Sequence, residues 1–107
     1  MTPTATTTVS LYGFVTPKPG HADALRALLT GLVEPSRAED GNLEYHVHEQ
    51  EDGRFFLYEV WRSPAALEQH HATPFVRAFL AEFPDHAAGA PEAYSGVMVS
   101  PYPARAA

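Results

Sequence analysis

The residues able to do chemistry gather around one passage, Phe55-Phe-Leu-Tyr-Glu-Val-Trp-Arg-Ser-Pro-Ala-Ala-Leu-Glu-Gln-His70. A carboxylate, Glu59, interrupts an apolar run that ends at the sole tryptophan, Trp61, and His70 follows within the next helical stretch. A carboxylate among strand residues costs free energy unless it has a partner. Upstream, His46 and His48 stand two apart. Histidine transfers protons near neutral pH, so His70 and His46 are candidate bases with Glu59 as orienter. His46, His48 and Glu59 also resemble part of a metal site. The plainer reading is polar residues on a partly solvated strand. A convincing third and fourth ligand is missing, so no metal is expected. Trp61, Phe75 and Phe79 suit either a substrate wall or a core, and His48 is a candidate substrate contact. His21, His71 and His86 read as surface or core-edge residues.

The 107 residues suffice for one domain with one core, and 45% hydrophobic residues describe a globular chain. Without cysteine there are no disulfides, thiolate nucleophiles or cysteine metal sites, which fits a reducing, cytoplasmic setting. Residues 1–8 lack the basic and apolar segments of a secretory signal. No apolar run approaches the roughly 18 residues of a membrane span. The net charge is −6 and Lys18 is the only lysine, which argues against a nucleic-acid partner.

The elements follow from spacing. Val9 to Val15 is a strand, stopped by Pro17-Lys-Pro-Gly20. Leu25, Leu28, Leu29, Leu32 and Val33 form one helical face, with a kink or stop expected at Pro35. Leu43 to Gln50 and Phe55 to Arg62 are strands around Asp52-Gly53, a two-residue hairpin signal. Ser63-Pro64 and Thr73-Pro74 are cap-and-proline helix starts. Phe75, Val76, Phe79, Leu80 and Phe83 give the second helical segment its apolar stripe, and Pro84 is expected to end it. Residues 84–92 are a loop, and Tyr94 to Ser100 is the last strand. Residues 1–7 and 101–107 read as flexible tails of a single domain spanning 1–107. The order β-α-β-β-α-β gives an α+β ferredoxin-like plait with both helices on one sheet face.

A two-residue Asp52-Gly53 turn would pair Glu51 with Arg54, setting His46 opposite Glu59 and His48 opposite Leu57. Glu44, His46, His48, Leu57, Glu59 and Trp61 would then share the helix-facing side. Leu43, Tyr45, Val47, Phe56, Tyr58 and Val60 would form an apolar outer face, too large to leave exposed and therefore expected to join a second copy in a twofold dimer.

Pro17-Lys-Pro-Gly20, Pro35-Ser-Arg-Ala-Glu-Asp-Gly41-Asn-Leu-Glu-Tyr45, Leu57-Tyr-Glu-Val-Trp-Arg-Ser63 and Leu67-Glu-Gln-His70, with Thr73-Pro74 and Phe79, follow one another in an order and spacing that is fairly specific. In these the chain resembles the antibiotic biosynthesis monooxygenase family, which includes small quinol monooxygenases. The likeness spans about residues 9–100. The resemblance implies a dimeric α+β barrel with a cavity between sheet and helices in each subunit. Some members insert oxygen from O₂ into electron-rich aromatics without metal or organic cofactor; others degrade heme or isomerise a phosphorylated sugar. The heme-degrading branch has Asn, Trp and His where this chain has Gly13, His70 and Leu80. Many members carry a histidine at Phe75, which leaves His70 alone on that side.

The expected activity is oxidation of a quinol, phenol or anthrone by O₂ with no cofactor, in a homodimer. Two alternatives share the barrel: a non-catalytic small-molecule binder and an isomerase. No flavin or nicotinamide fingerprint follows any strand. An RNA-binding plait of the same topology fails on charge.

Overall fold

The computed structural model describes residues 8–100. The two expected tails lie outside the described residues. The elements are β1 (Val9–Val15), α1 (Ala22–Thr30), α2 (Val33–Arg37), β2 (Asn42–Glu49), β3 (Phe55–Trp61), α3 (Pro64–His71), α4 (Pro74–His86) and β4 (Glu92–Val97). The sheet runs β2-β3-β1-β4 with every neighbouring pair antiparallel. This is the α+β ferredoxin-like plait, with its helices packed against one face.

Local chemistry sets the helix boundaries. Ser63 Oγ accepts from the Ala66 N–H at 3.1 Å and Thr73 Oγ1 from the Val76 N–H at 3.4 Å, each followed by proline at the first helical position. The stop before Pro35 falls at Gly31 and Leu32, so Pro35 lies in the first turn of α2, where no intrahelical donor is required. Pro84 does not end its helix as expected. It sits within α4, which continues to His86. Its missing N–H leaves the carbonyl of Leu80, an exposed residue that water can reach. The 84–92 loop shortens accordingly, and β4 begins two residues before the expected Tyr94.

The hairpin corrects the predicted register. Gln50 N–H donates to Arg54 O at 2.8 Å and Gly53 N–H to Gln50 O at 3.0 Å, so the loop holds Glu51, Asp52 and Gly53. A two-residue turn of the expected kind needs positive φ at both Asp52 and Gly53. Only Gly53 adopts it, at +89°. Asp52 instead turns its carboxylate onto Arg54, accepting from the backbone N–H and from Nε at 3.0 Å each. The extra loop residue slips β2 by one position, and a one-residue slip reverses every side chain. Tyr45 now opposes Glu59, His46 opposes Tyr58 and His48 opposes Phe56.

The helix-facing side of the sheet therefore carries Leu11, Gly13 and Val15 from β1, Tyr45 and Val47 from β2, and Phe55, Leu57, Glu59 and Trp61 from β3. Two apolar clusters fill it. One joins Val15, Phe55, Leu25, Leu29 and Phe83; the other joins Leu32, Tyr45 and Trp61 with Leu67, Phe75 and Phe79 alongside. Gly13 lies where β1 meets β4. A Cβ there would fall 1.9 Å from the Glu92 carbonyl oxygen, so only glycine permits this approach.

Candidate active site

A cavity of about 550 Å³ opens between the sheet and the helices. Leu11, Gly13 and Leu57 form its floor, while Leu29, Val76, Phe79 and Phe83 come from α1 and α4. Ligand sites are commonly apolar hollows of this size with a few polar groups placed to orient the occupant. Here the buried polar groups are Glu59, His70 and Tyr45; the exposed His71 and Glu92 also border the space.

Glu59 reaches the cavity because alternation along β3 places it, with Leu57 and Trp61, on the helix side. Its neighbour two positions on holds it: Trp61 Nε1–H donates to Glu59 Oε1 at 3.0 Å. His70 occupies the last turn of α3 and is fixed there by the Thr73 hydroxyl, which donates to its carbonyl at 2.7 Å. The imidazole lies tilted by 37° against Trp61 with ring centres 4.3 Å apart and meets Phe75 edge-on at 5.9 Å. Its two nitrogens face two carboxylates. Nδ1 lies 2.6 Å from Glu39 Oε2, which makes it the donor of that bond, and Nε2 lies 3.8 Å from Glu59 Oε1.

Burial pushes the Glu59 carboxyl up to about 7, opposed by the Trp61 hydrogen bond and assisted by the charge of Glu39. A carboxyl tuned to neutrality can both accept and return a proton at physiological pH. Burial, with the nearby Glu59 charge, raises the Tyr45 phenol well beyond its ordinary range, so it remains a neutral hydroxyl. His71 is held below the ordinary imidazole value by desolvation and by His70.

Of the residues singled out in the sequence, Glu59, His70 and Phe79 line the cavity, while Trp61 touches Glu59 and His70 from behind without lining it. Phe75 supports the His70 ring and does not line the cavity. His46 and His48 are on the opposite face. His46 Nε2–H donates to Glu44 Oε1 at 2.7 Å while Nδ1 accepts from Arg37 at 3.2 Å, and His48 packs beside Phe56. The expected His46–Glu59 pair does not form. Two site residues were missed. Tyr45 was assigned to the wrong face by the hairpin register. Glu39 lies in the segment between α2 and β2, 31 positions from His70, and its sequence neighbours give no sign of the contact. Among the described residues no group of three or more His, Cys, Asp or Glu side chains could hold a metal ion.

Comparison with known proteins bears on the family and the fold. The profile of the family described as "Antibiotic biosynthesis monooxygenase" matches residues 8–82. A Mycobacterium tuberculosis protein named "Putative monooxygenase Rv0793" is 40% identical over 70 residues, covering 64% of this chain and 69% of its own. The Bacillus subtilis "Putative monooxygenase YcnE" is 30% identical over 76 residues, covering 69% of this chain and 80% of its own. A Synechocystis protein, sll1783, is 39% identical over 75 residues, and the match spans about half, 51%, of its length. The crystal structure of PA3566 from Pseudomonas aeruginosa superimposes with a TM-score of 0.84 at 32% identity, covering 92% of this chain and 100% of the other. The structure of Rv0793 superimposes with a TM-score of 0.80 at 29% identity, covering 92% and 99%. By its profile match, its relatives and its fold, the chain belongs to the antibiotic biosynthesis monooxygenase family.

Proposed function

We propose that this protein is a monooxygenase that oxidises a small electron-rich aromatic, of quinol, phenol or anthrone type, with O₂ and no cofactor. The observation that carries the reading is Glu59: a carboxyl tuned to about 7 on the wall of a largely apolar cavity of about 550 Å³. Such a space admits an aromatic and O₂, surrounds them with mostly apolar walls, and offers a carboxyl base where the ring would lie.

Ground-state O₂ is a triplet and does not react directly with a closed-shell molecule. Glu59 removes a proton from the substrate hydroxyl or acidic C–H, and the anion passes one electron to O₂. The radical pair couples to form a C–O bond and a peroxide anion. Glu59 returns its proton to give a hydroperoxide. Loss of the proton on the carbon that carries the peroxide, with O–O cleavage, yields a new C=O and one water. All four electrons that reduce O₂ come from the substrate, one oxygen atom enters the product, and the other leaves as water. His70 faces the carboxyl that turns over, and Trp61 holds one of its oxygens in place. The Tyr45 hydroxyl stands ready to donate to the substrate oxyanion.

An oxygen electrode with a panel of quinols, naphthols and anthrones tests this reading. Saturable O₂ uptake above the buffer rate is expected for at least one compound. Saturable binding without uptake would make the protein a carrier on the same fold.

We also infer a homodimer joined through the open sheet face. The corrected register places Tyr12, Phe14, Phe56 and Tyr58 there, with Tyr94 from β4. Phe14 and Phe56 lie 5.2 Å apart and Tyr12 and Tyr94 6.1 Å apart, forming an aromatic band. Covering such a band stabilises a pair of subunits. Light scattering should return about twice the chain mass of 11.7 kDa; a monomer at micromolar concentration would refute the inference.

A further inference from the structure

The His70 imidazole sits between two carboxylates that belong to different spaces. Glu59 and His70 line the apolar cavity, and Glu39 does not. Glu39 lines a second pocket of about 340 Å³ with Asp40, Arg62, Ser63 and Gln69. Trp61 stands between the two spaces: it is among the residues bordering the second pocket, while its N–H holds the Glu59 carboxyl of the first. Exposure is lowest at the middle of the wall and highest at its outer end, with side chains 7% accessible at Glu59, 3% at His70 and 19% at Glu39. A buried imidazole held only for packing needs one acceptor. This one has a carboxylate facing each nitrogen, one bordering the apolar cavity and one bordering the polar pocket.

We propose that Glu59, His70 and Glu39 form a proton path linking the apolar cavity to the polar pocket behind it, with Glu39 as its outer terminus. A proton on Glu59 Oε1 passes to the lone pair of His70 Nε2, and the Nδ1–H proton passes to Glu39 Oε2. Glu39 then yields a proton to water in the second pocket. The imidazole gains one proton and loses one, and the reverse passage restores its tautomer. The outer step already has hydrogen-bond geometry at 2.6 Å. The inner step, 3.8 Å here, closes by a small rotation of the Glu59 carboxyl to the ~3 Å that transfer needs. The other polar and titratable groups facing His70 are Tyr45 from β2, Trp61 from β3 and its neighbour His71. Asp40 and Arg62 stand by Glu39 across the second pocket. The path matters when the cavity is full, because an occupant then closes the other way by which Glu59 can exchange its proton.

The proposal rests on Glu59 being the cavity base, yet its test needs no turnover. Trp61 is the only tryptophan and hydrogen-bonds Glu59, so its fluorescence reports the protonation of that carboxyl. A laser pH jump is applied to protein whose cavity is saturated with toluene, and the Trp61 relaxation is timed. The Glu39→Gln side chain still accepts from Nδ1–H but cannot take up the proton. Its relaxation should be slower by about tenfold or more, a barrier increase of about 1.4 kcal/mol. Glu39→Asp keeps the acid and should recover most of the parent rate, which a merely structural role for Glu39 does not predict. An equal relaxation rate in parent and Glu39→Gln, with the Glu59 midpoint unchanged, overturns the path and leaves the base intact. Absence from the parent of a Trp61 titration near neutrality that Glu59→Gln abolishes removes the base itself.

Discussion

Replacing Glu59 by Gln should make the protein more stable above neutral pH, although it destroys the base. The folded carboxyl is raised from 4.5 to about 7. Between those values the folded chain keeps a proton that the unfolded chain has lost. Stability from this group is therefore fully present below about 4.5 and is lost as pH rises through about 7. At about 1.36 kcal/mol per unit, the loss between pH 4.5 and pH 8 is on the order of 3 kcal/mol. Glutamine is uncharged throughout, retains an oxygen for the Trp61 N–H, and escapes the loss. Urea unfolding followed by far-ultraviolet circular dichroism, at one protein concentration and the two pH values, measures it. The parent should lose about 3 kcal/mol more than Glu59→Gln between them, and subtracting the two proteins removes the contribution of every other titrating group. Parallel stability profiles would show that the buried carboxyl is not strained and would remove the reason for treating it as a base.

Other outcomes follow from the same geometry. Once a substrate is found, His70→Ala should lower kcat by about 10²–10⁴ while altering KM much less, because the imidazole acts through the proton on Glu59; equal loss in both parameters would indicate a binding role. Tyr45 is held neutral by burial, so an alkaline titration followed by tyrosinate absorbance should show one tyrosine ionising only with unfolding, and Tyr45→Phe should remove that step. Gly13→Ala should cost about 1–3 kcal/mol and loosen β4, because its methyl group would lie 1.9 Å from the Glu92 carbonyl oxygen; unchanged thermal stability would contradict the close approach. His48→Ala, on the sheet face away from the cavity, should leave the oxidation rate unchanged and shift the dimer's dissociation constant.

The plait was legible because its signals are local. Leucine spacing marked α1, and Ser63-Pro64 and Thr73-Pro74 marked two helix starts. Glu59 and Trp61 were placed on the cavity side, and His70 beside them, from strand alternation and helix position. The β2 register was misread because Asp52-Gly53 fits both a two-residue turn and a three-residue loop ending in a left-handed glycine. The choice depends on φ at Asp52, which its carboxylate settles by binding Arg54. That single torsion moved His46 and His48 out of the site and Tyr45 into it. Glu39 stayed hidden for another reason: its meeting with His70 is created by the fold, and no local pattern announces it.

The most direct test of the central claim supplies isotopically labelled O₂ to the parent and to Glu59→Gln, with the substrate that gives the greatest oxygen uptake, and reads the product by mass spectrometry. The account predicts one labelled oxygen atom per product molecule and one in water for the parent, with formation slowed by about 10²–10⁴ in the variant. Product carrying no label, or labelled product formed by Glu59→Gln at the parent rate, would contradict it.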